Sequence, residues 1–183
     1  MRQYVVDAFT DHVFAGNPAA ICVMDRWLDE KTMMAITIEN NLSETAFAVK
    51  EGEKYHLRWF TPGGEIDLCG HATIASFALL RQEGLIADGS HIAHTKASDL
   101  NIGVSGGTVW MDMAPPKLIR KLTAEEWPEL YDAYGLTVDH RPDGLEPWIV
   151  STGLADIMMP VRDHETLLQA VQNEAAVTEL SRR

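Results

Sequence analysis

Residues 60–80, FTPGGEIDLCGHATIASFALL, pass from an aromatic strand end through a turn into an apolar run, with Cys69, Gly70 and His71 at the junction. Thr61-Pro62-Gly63-Gly64 is turn chemistry, because proline presets φ and glycine tolerates positive values. A short extended piece follows. From His71 onward, Ile74, Phe77, Ala78 and Arg81 recur at helical spacing, and Gly84 is a natural stop. A helix this rich in alanine and leucine, charged only near its end, belongs among strands rather than at a surface. That placement decides the architecture: strands must surround one apolar helix.

The flanking segments supply those strands. KYHLRWF (54–60) alternates Tyr55, Leu57 and Trp59 against His56, Arg58 and Phe60, the period of a strand with one buried face. RQYVVDAF (2–9), AAICVM (19–24) and ETAFAVK (44–50) read as further strands. Gly16-Asn17-Pro18 turns the chain into the second of these, with Asp7 and Asn17 as loop-fixing residues. Asp29 N-caps a helix in LDEKTMMAITIENN (28–41), which Asn40-Asn41 ends. SHIAHTKAS (90–98), LNIGVSGG (100–107) and TVWMDMA (108–114) are strands joined by glycine-rich turns. Pro115-Pro116 is the clearest boundary, so residues 1–114 are expected to form one domain.

Beyond it the chain changes character. TAEEWPELYDAYG (123–135) reads as a polar helix, PWIVSTGLADIMMPV (147–161) as two apolar strands around Thr152-Gly153, and HETLLQAVQNEAAVTELSRR (164–183) as one helix without a terminal cap. Residues 118–183 are expected to be the start of a second, incomplete domain. Met111, Met113, Met158 and Met159 read as core filler.

Composition excludes several classes. The 183 residues are 46% hydrophobic and 23% charged, enough for one good core or two small ones, and no segment is low-complexity. The formal net charge is -12 with no Lys/Arg run beyond a pair, which argues against nucleic acid. No apolar run is long enough to span a bilayer, and Asp7 interrupts any signal-peptide core. Two cysteines make no disulfide framework, so a reducing cytoplasm is the default, and their separation argues against structural zinc. No phosphate loop or dinucleotide fingerprint occurs.

Four residue types could carry chemistry. Cys69 at a helix start is either a thiol tuned by the helix dipole or a buried small hydrophobe; a redox pair is excluded because position 72 is alanine. His71 would be held neutral there. Beside Gly70, which lets a ligand approach the backbone, the N–H groups of Gly70, His71 and Ala72 would form a pocket for a carboxylate. Glu44, with Ser43 beside it and apolar neighbours after it, is either a surface turn carboxylate or a partly desolvated general acid/base. Glu65 and Asp67 supply too few ligands for a hard cation and are expected to satisfy Arg58 or nearby amides. No metal site is assigned.

Taken together, VDAFTDHVFAGNPAAICV (6–23), NLSETAFAV (41–49), LRWFTPGGEIDLCGHATIAS (57–76) and STGLADIMMPV (151–161) resemble the PhzF-like phenazine-biosynthesis isomerase family. The resemblance implies an α/β (α+β) diaminopimelate-epimerase-like fold: two similar domains, each a sheet wrapped around a central helix, with the active site between them. It also implies cofactor-independent proton transfer on a small, carboxylate-bearing substrate. Carried over by motif, Glu44 is the acid/base, and Ser43, Gly70, His71 and Ala72 border the substrate. Cys69 is packing, although in related epimerases a cysteine at a comparable helix start is itself the base. The Glu-Asp-Pro…Thr-Gly-Ser block of the family's second half does not occur here. The chain is therefore expected to be inactive alone, and to work as a homodimer or with a missing C-terminal half. A non-catalytic binding remnant is the alternative.

Overall fold

In the computed structural model, which describes residues 1–182, the chain begins with β1 (Arg2–Ala8), β2 (Asn17–Met24) and α1 (Glu30–Asn40). β3 (Thr45–Glu51), β4 (Lys54–Thr61), β5 (Gly64–Ile66) and α2 (Gly70–Gln82) follow, then β6 (Gly89–His94), β7 (Asp99–Ser105) and β8 (Thr108–Met111). The strands form one mixed sheet in the order β1-β2-β3-β4-β6-β7-β8, with β5 paired to β4. Neighbours are antiparallel except β2/β3 and β4/β6. Those are the two places where a helix, α1 or α2, carries the chain between parallel strands.

Helix α2 packs on β1, β2 and β3 and also on β7 and β8, which lie at opposite ends of the strand order. One helix can touch both ends only if the sheet curls around it. Its burial therefore covers a broad arc: Ala72, Thr73, Ala75, Ser76, Phe77, Leu79 and Leu80 are all buried. This corrects the narrower face expected from the sequence, since Ile74 and Ala78 are half-buried and Arg81 is exposed. Alanine, serine and threonine on the inner arc let the strands approach closely. The two hydroxyls are satisfied within the helix, Thr73 donating to the Cys69 carbonyl and Ser76 to the Ala72 carbonyl, each at 2.6 Å.

The strands alternate as a two-sided sheet demands. Ile21, Ala46, Ala48, Tyr55, Leu57 and Trp59 face α2, whereas Cys22, Met24, Phe47, Val49 and Phe60 face α1 and Met33. KYHLRWF thus has apolar contacts on both faces rather than one. His56 and Arg58 are half-buried. Asp29 caps α1 through the Thr32 amide at 2.9 Å, and Asn41, at φ 50°, ends it in the left-handed region. Gly84, at φ 67°, closes α2 with its amide on the Arg81 carbonyl. Asp7 does fix its loop, accepting from the Phe14 amide at 2.8 Å. Gly16 is demanded by space, because a Cβ there would sit 2.3 Å from the Ala8 carbonyl oxygen.

Of the two acids in the approach to α2, Glu65 accepts from Arg58 Nε and Nη2, at 2.7 and 2.8 Å, while Asp67 pairs instead with Lys96 at 3.1 Å. The Arg58 contact holds the Glu65 carboxyl below the usual carboxylate range. A depressed value stabilises the fold above the ordinary carboxylate pKa, and this is lost as pH falls through the folded value. With both side chains largely buried, Glu65→Gln is expected to cost about 1–3 kcal/mol at pH 7. Urea unfolding should show that cost shrinking as pH falls below the ordinary carboxylate range; an unchanged difference would remove the pair from the stability account.

The chain divides at Met113/Ala114, and the second unit is described separately. It contains β9 (Lys117–Lys121), α3 (Trp127–Asp132), β10 (Trp148–Ser151), β11 (Ala155–Met158), α4 (His164–Gln169) and α5 (Glu174–Leu180). The strands form an antiparallel sheet in the order β11-β10-β9. The expected hairpin around Thr152-Gly153 is present as β10 and β11, and the expected polar helix is reduced to α3. The single C-terminal helix is corrected to two. Ala170 turns extended, the Val171 and Asn173 amides bond the Tyr134 and Ala133 carbonyls, and the Asn173 side chain caps the next helix on the Ala176 amide. Tertiary hydrogen bonding thus outcompetes helical continuity. Met111 packs against the core as expected, but Met113 and Met158 are exposed. Among the described residues no helix is long and apolar enough to cross a membrane.

Candidate active site

Glu44 occupies the step between α1 and β3. The Asn40 side chain donates to Thr45 Oγ1 at 3.1 Å, and the Ala20 amide donates to the Glu44 carbonyl at 3.2 Å. Both bonds anchor the residue where β2 and β3 begin to run parallel. On the other side, Cys69 is extended (φ -141°, ψ 109°) and precedes the first turn of α2 without capping it through its side chain. The opening amides of this helix have no intrahelical partner, and the helix dipole adds positive potential there.

These two features bring three side chains together. Glu44 Oε2 lies 3.3 Å from His71 Nε2, and Cys69 Sγ lies 3.5 Å from His71 Nδ1. Cys69 is 6% exposed, and the Glu44 and His71 side chains are 19% and 12% exposed. Despite their separation, Glu44 Oε2 and His71 Nε2 are not aligned for a hydrogen bond, and both atoms are buried without a partner. A buried polar atom left unpaired costs about 1–3 kcal/mol, so folded proteins rarely tolerate it without a reason. Here two face each other at the start of α2.

Gly70 adds a third observation. A Cβ at this position would meet only Met111 Cε, at the ordinary contact distance of 3.8 Å. The fold's packing does not require glycine here. Its effect is to leave the backbone open to a ligand. Ala72 is fully buried in the same turn. Ser43 is exposed, and among the described residues its side chain makes no hydrogen bond to this group. Sequence reasoning missed Thr73, whose hydroxyl pins the Cys69 carbonyl, and treated Met111 as mere filler although it borders Gly70. A serine or threonine four residues beyond a helix start was the available signal for the first; none existed for the second.

Donor atoms of Glu44, Cys69 and His71 lie within 4.8 Å of one another, a spacing that could receive a metal ion. Sulfur lies nearest one ring nitrogen and a carboxyl oxygen nearest the other, and the three groups gather in one compact cluster.

Burial pushes both thiols, Cys22 and Cys69, up to about 11, and the Glu44 charge adds to the effect at Cys69. Since the thiolate is the reactive form, native protein at pH 8 is expected to resist iodoacetamide at both positions and to take up two labels in denaturant. Mass spectrometry reads this directly. Fast native labelling of Cys69 would contradict it.

Residues 6–183 match the family model described as "Phenazine biosynthesis-like protein". An "Uncharacterized isomerase" of Halalkalibacterium halodurans is 34% identical over 181 residues, which is 98% of this chain and 64% of that protein. A crystal structure of a PhzF-family phenazine biosynthesis protein from Enterococcus faecalis is 37% identical with a TM-score of 0.79, covering 95% of this chain and 62% of that one. A "Predicted Epimerase" of Pseudomonas aeruginosa, 24% identical, has a TM-score of 0.84 over 98% of this chain and 67% of its own, and bears on the fold alone. The curled sheet around a helix is therefore the diaminopimelate-epimerase-like architecture expected from the sequence. The chain spans less than two thirds of the length of the first two of these relatives.

Proposed function

Because this chain belongs to the phenazine biosynthesis-like family of isomerases, we propose that it carries the acid/base side of a cofactor-independent isomerase site. Its substrate would be a small molecule bearing a carboxylate. The observation that carries this reading is the facing of Glu44 Oε2 and His71 Nε2, buried, 3.3 Å apart and otherwise unpaired. In the proposed reaction Glu44 takes a proton from one carbon of the substrate and returns it to another, so the net change is redox-neutral. His71 and the backbone of Gly70 and Ala72 hold the anionic or polar group, with Ser43 at the rim.

A Cys69-based racemase is the second reading. The raised thiol argues against it, since catalytic cysteines at helix starts have lowered values. Two free cysteines suit a reducing cytoplasm. The rest of the site would come from outside this chain, from a second copy or from a segment equivalent to the remainder of the longer relatives.

The test is deuterium uptake. A full-length chimera, in which Met1–Met113 replaces the matching part of the Halalkalibacterium protein, is incubated in D2O with a panel of small carboxylic acids. Mass spectrometry of the acids should show exchange that depends on Glu44. Exchange that survives Glu44→Gln but not Cys69→Ser would transfer the role to the thiol. No exchange with any acid would favour a non-catalytic binding role.

A further inference from the structure

The carboxyl, imidazole and thiol form a compact cluster, and the thiol has an effect of its own. A neutral imidazole carries one proton, and the bond made at one nitrogen decides what the other presents. Cys69 Sγ sits 3.5 Å from Nδ1, while Glu44 Oε2 sits 3.3 Å from Nε2. Two tautomers are available. With the proton on Nδ1, the ring would donate to sulfur, a weak acceptor, and present a bare lone pair toward the carboxyl oxygen. With the proton on Nε2, the thiol donates to Nδ1 and the ring presents N–H beside the carboxyl, unbonded to it.

The surroundings favour the second arrangement at both ends. Cys69 is buried at the N-terminal end of α2, and desolvation with the Glu44 charge keeps its sulfur protonated through the neutral range. The sulfur therefore has a hydrogen to donate. At the other end, the nearest group to Nε2 is an acceptor whenever Glu44 is ionised.

We propose that Cys69 is a positioning residue whose S–H donates to His71 Nδ1, fixing the Nε2–H tautomer and leaving that N–H, which Glu44 does not accept, free for a substrate oxygen beside the carboxyl. This rests on reading Glu44 and His71 as the reacting site. The consequence for chemistry is a hydrogen-bond donor beside the base. As Glu44 removes a proton, the His71 N–H can stabilise charge growing on a substrate oxygen without giving up its own proton. The cysteine neither attacks nor titrates.

Side-chain nitrogen NMR of the full chain, labelled with 15N-histidine, reads the tautomer without any turnover. Long-range proton–nitrogen correlations separate protonated from bare ring nitrogens, and loss of one signal set in His71→Gln assigns the residue among the seven histidines. The expected pattern at pH 8 is a single Nε2–H tautomer. Cys69→Ala should convert it to a mixture of both tautomers, and Cys69→Ser, which retains a donor, should restore one. An Nδ1–H tautomer in the unaltered protein overturns the proposal even if no variant folds. A pattern unmoved by Cys69→Ala in folded protein also overturns it. Failure of the deuterium assay with this tautomer intact would instead count against the isomerase reading alone.

Discussion

Glu44→Gln is expected to lower proton exchange by the complete-length chimera by about a hundredfold to ten-thousandfold, the usual contribution of a positioned general acid/base, with the fold unchanged. The substitution keeps size and shape and removes only the ability to carry a proton. Nothing in the core depends on the carboxyl. Its Oε2 makes no hydrogen bond, and the contacts anchoring the residue run through its carbonyl and its neighbours Thr45 and Asn40. Thermal unfolding should therefore be nearly unaffected, or slightly improved where an unpaired buried oxygen gives way to an amide that can also donate. The kinetic signature matters as much as the size. A group acting on the proton in transit lowers kcat, whereas one that only binds substrate raises KM. A Glu44→Gln variant with unchanged kcat would reassign the residue to binding and leave the base unidentified.

The parts of this outcome that were legible in the sequence share one physical property: they depend on neighbours close along the chain. Asp29 as a cap, Asn41 and Gly84 as helix ends and the alternation of Tyr55, Leu57 and Trp59 are local patterns, and each holds in the structure. The Glu65–Arg58 pair was also within reach, because β4 and β5 form a hairpin. What failed was nonlocal. The breadth of the buried arc on α2 follows from a sheet curling around it, and helical spacing alone cannot report that. The break between α4 and α5 is made by amides bonding to Tyr134 and Ala133, well removed in the chain. β9 escaped notice because lysine and arginine alternate poorly with Leu118 and Ile119, so neither face reads as apolar. The site shows the same division. Glu44 and the Cys69–His71 segment could each be singled out by residue type and by family resemblance. That thiol, imidazole and carboxyl gather in one cluster emerges only from how β3 and α2 are brought together.

The isolated chain is expected to self-associate and to show no isomerase turnover, and the reason lies in the second unit. Among the described residues its sheet has three strands, with β9 and β11 at the two ends of the strand order. Every residue of β9 is exposed, Leu118 at 63% and Ile119 at 48%, and Met158 on β11 is exposed at 59%. Leu154, Leu167, Leu168 and Val171 add further exposed apolar surface in the same unit. Natural proteins protect such edges, because unpaired backbone groups beside apolar side chains recruit other strands. The lysines and the arginine of β9 limit this but do not remove the apolar pair between them. The expected lack of turnover rests on the proposed reading: this chain spans less than two thirds of the length of the Halalkalibacterium and Enterococcus relatives, and in that reading further groups would hold the substrate's opposite face. Sedimentation velocity tests the first half, with association expected at micromolar concentrations and weakened by Leu118→Lys, which puts a charge on the edge strand. Deuterium uptake by the same preparation tests the second. A stable monomer that exchanges protons as fast as the full-length chimera would show that this chain needs no further partner.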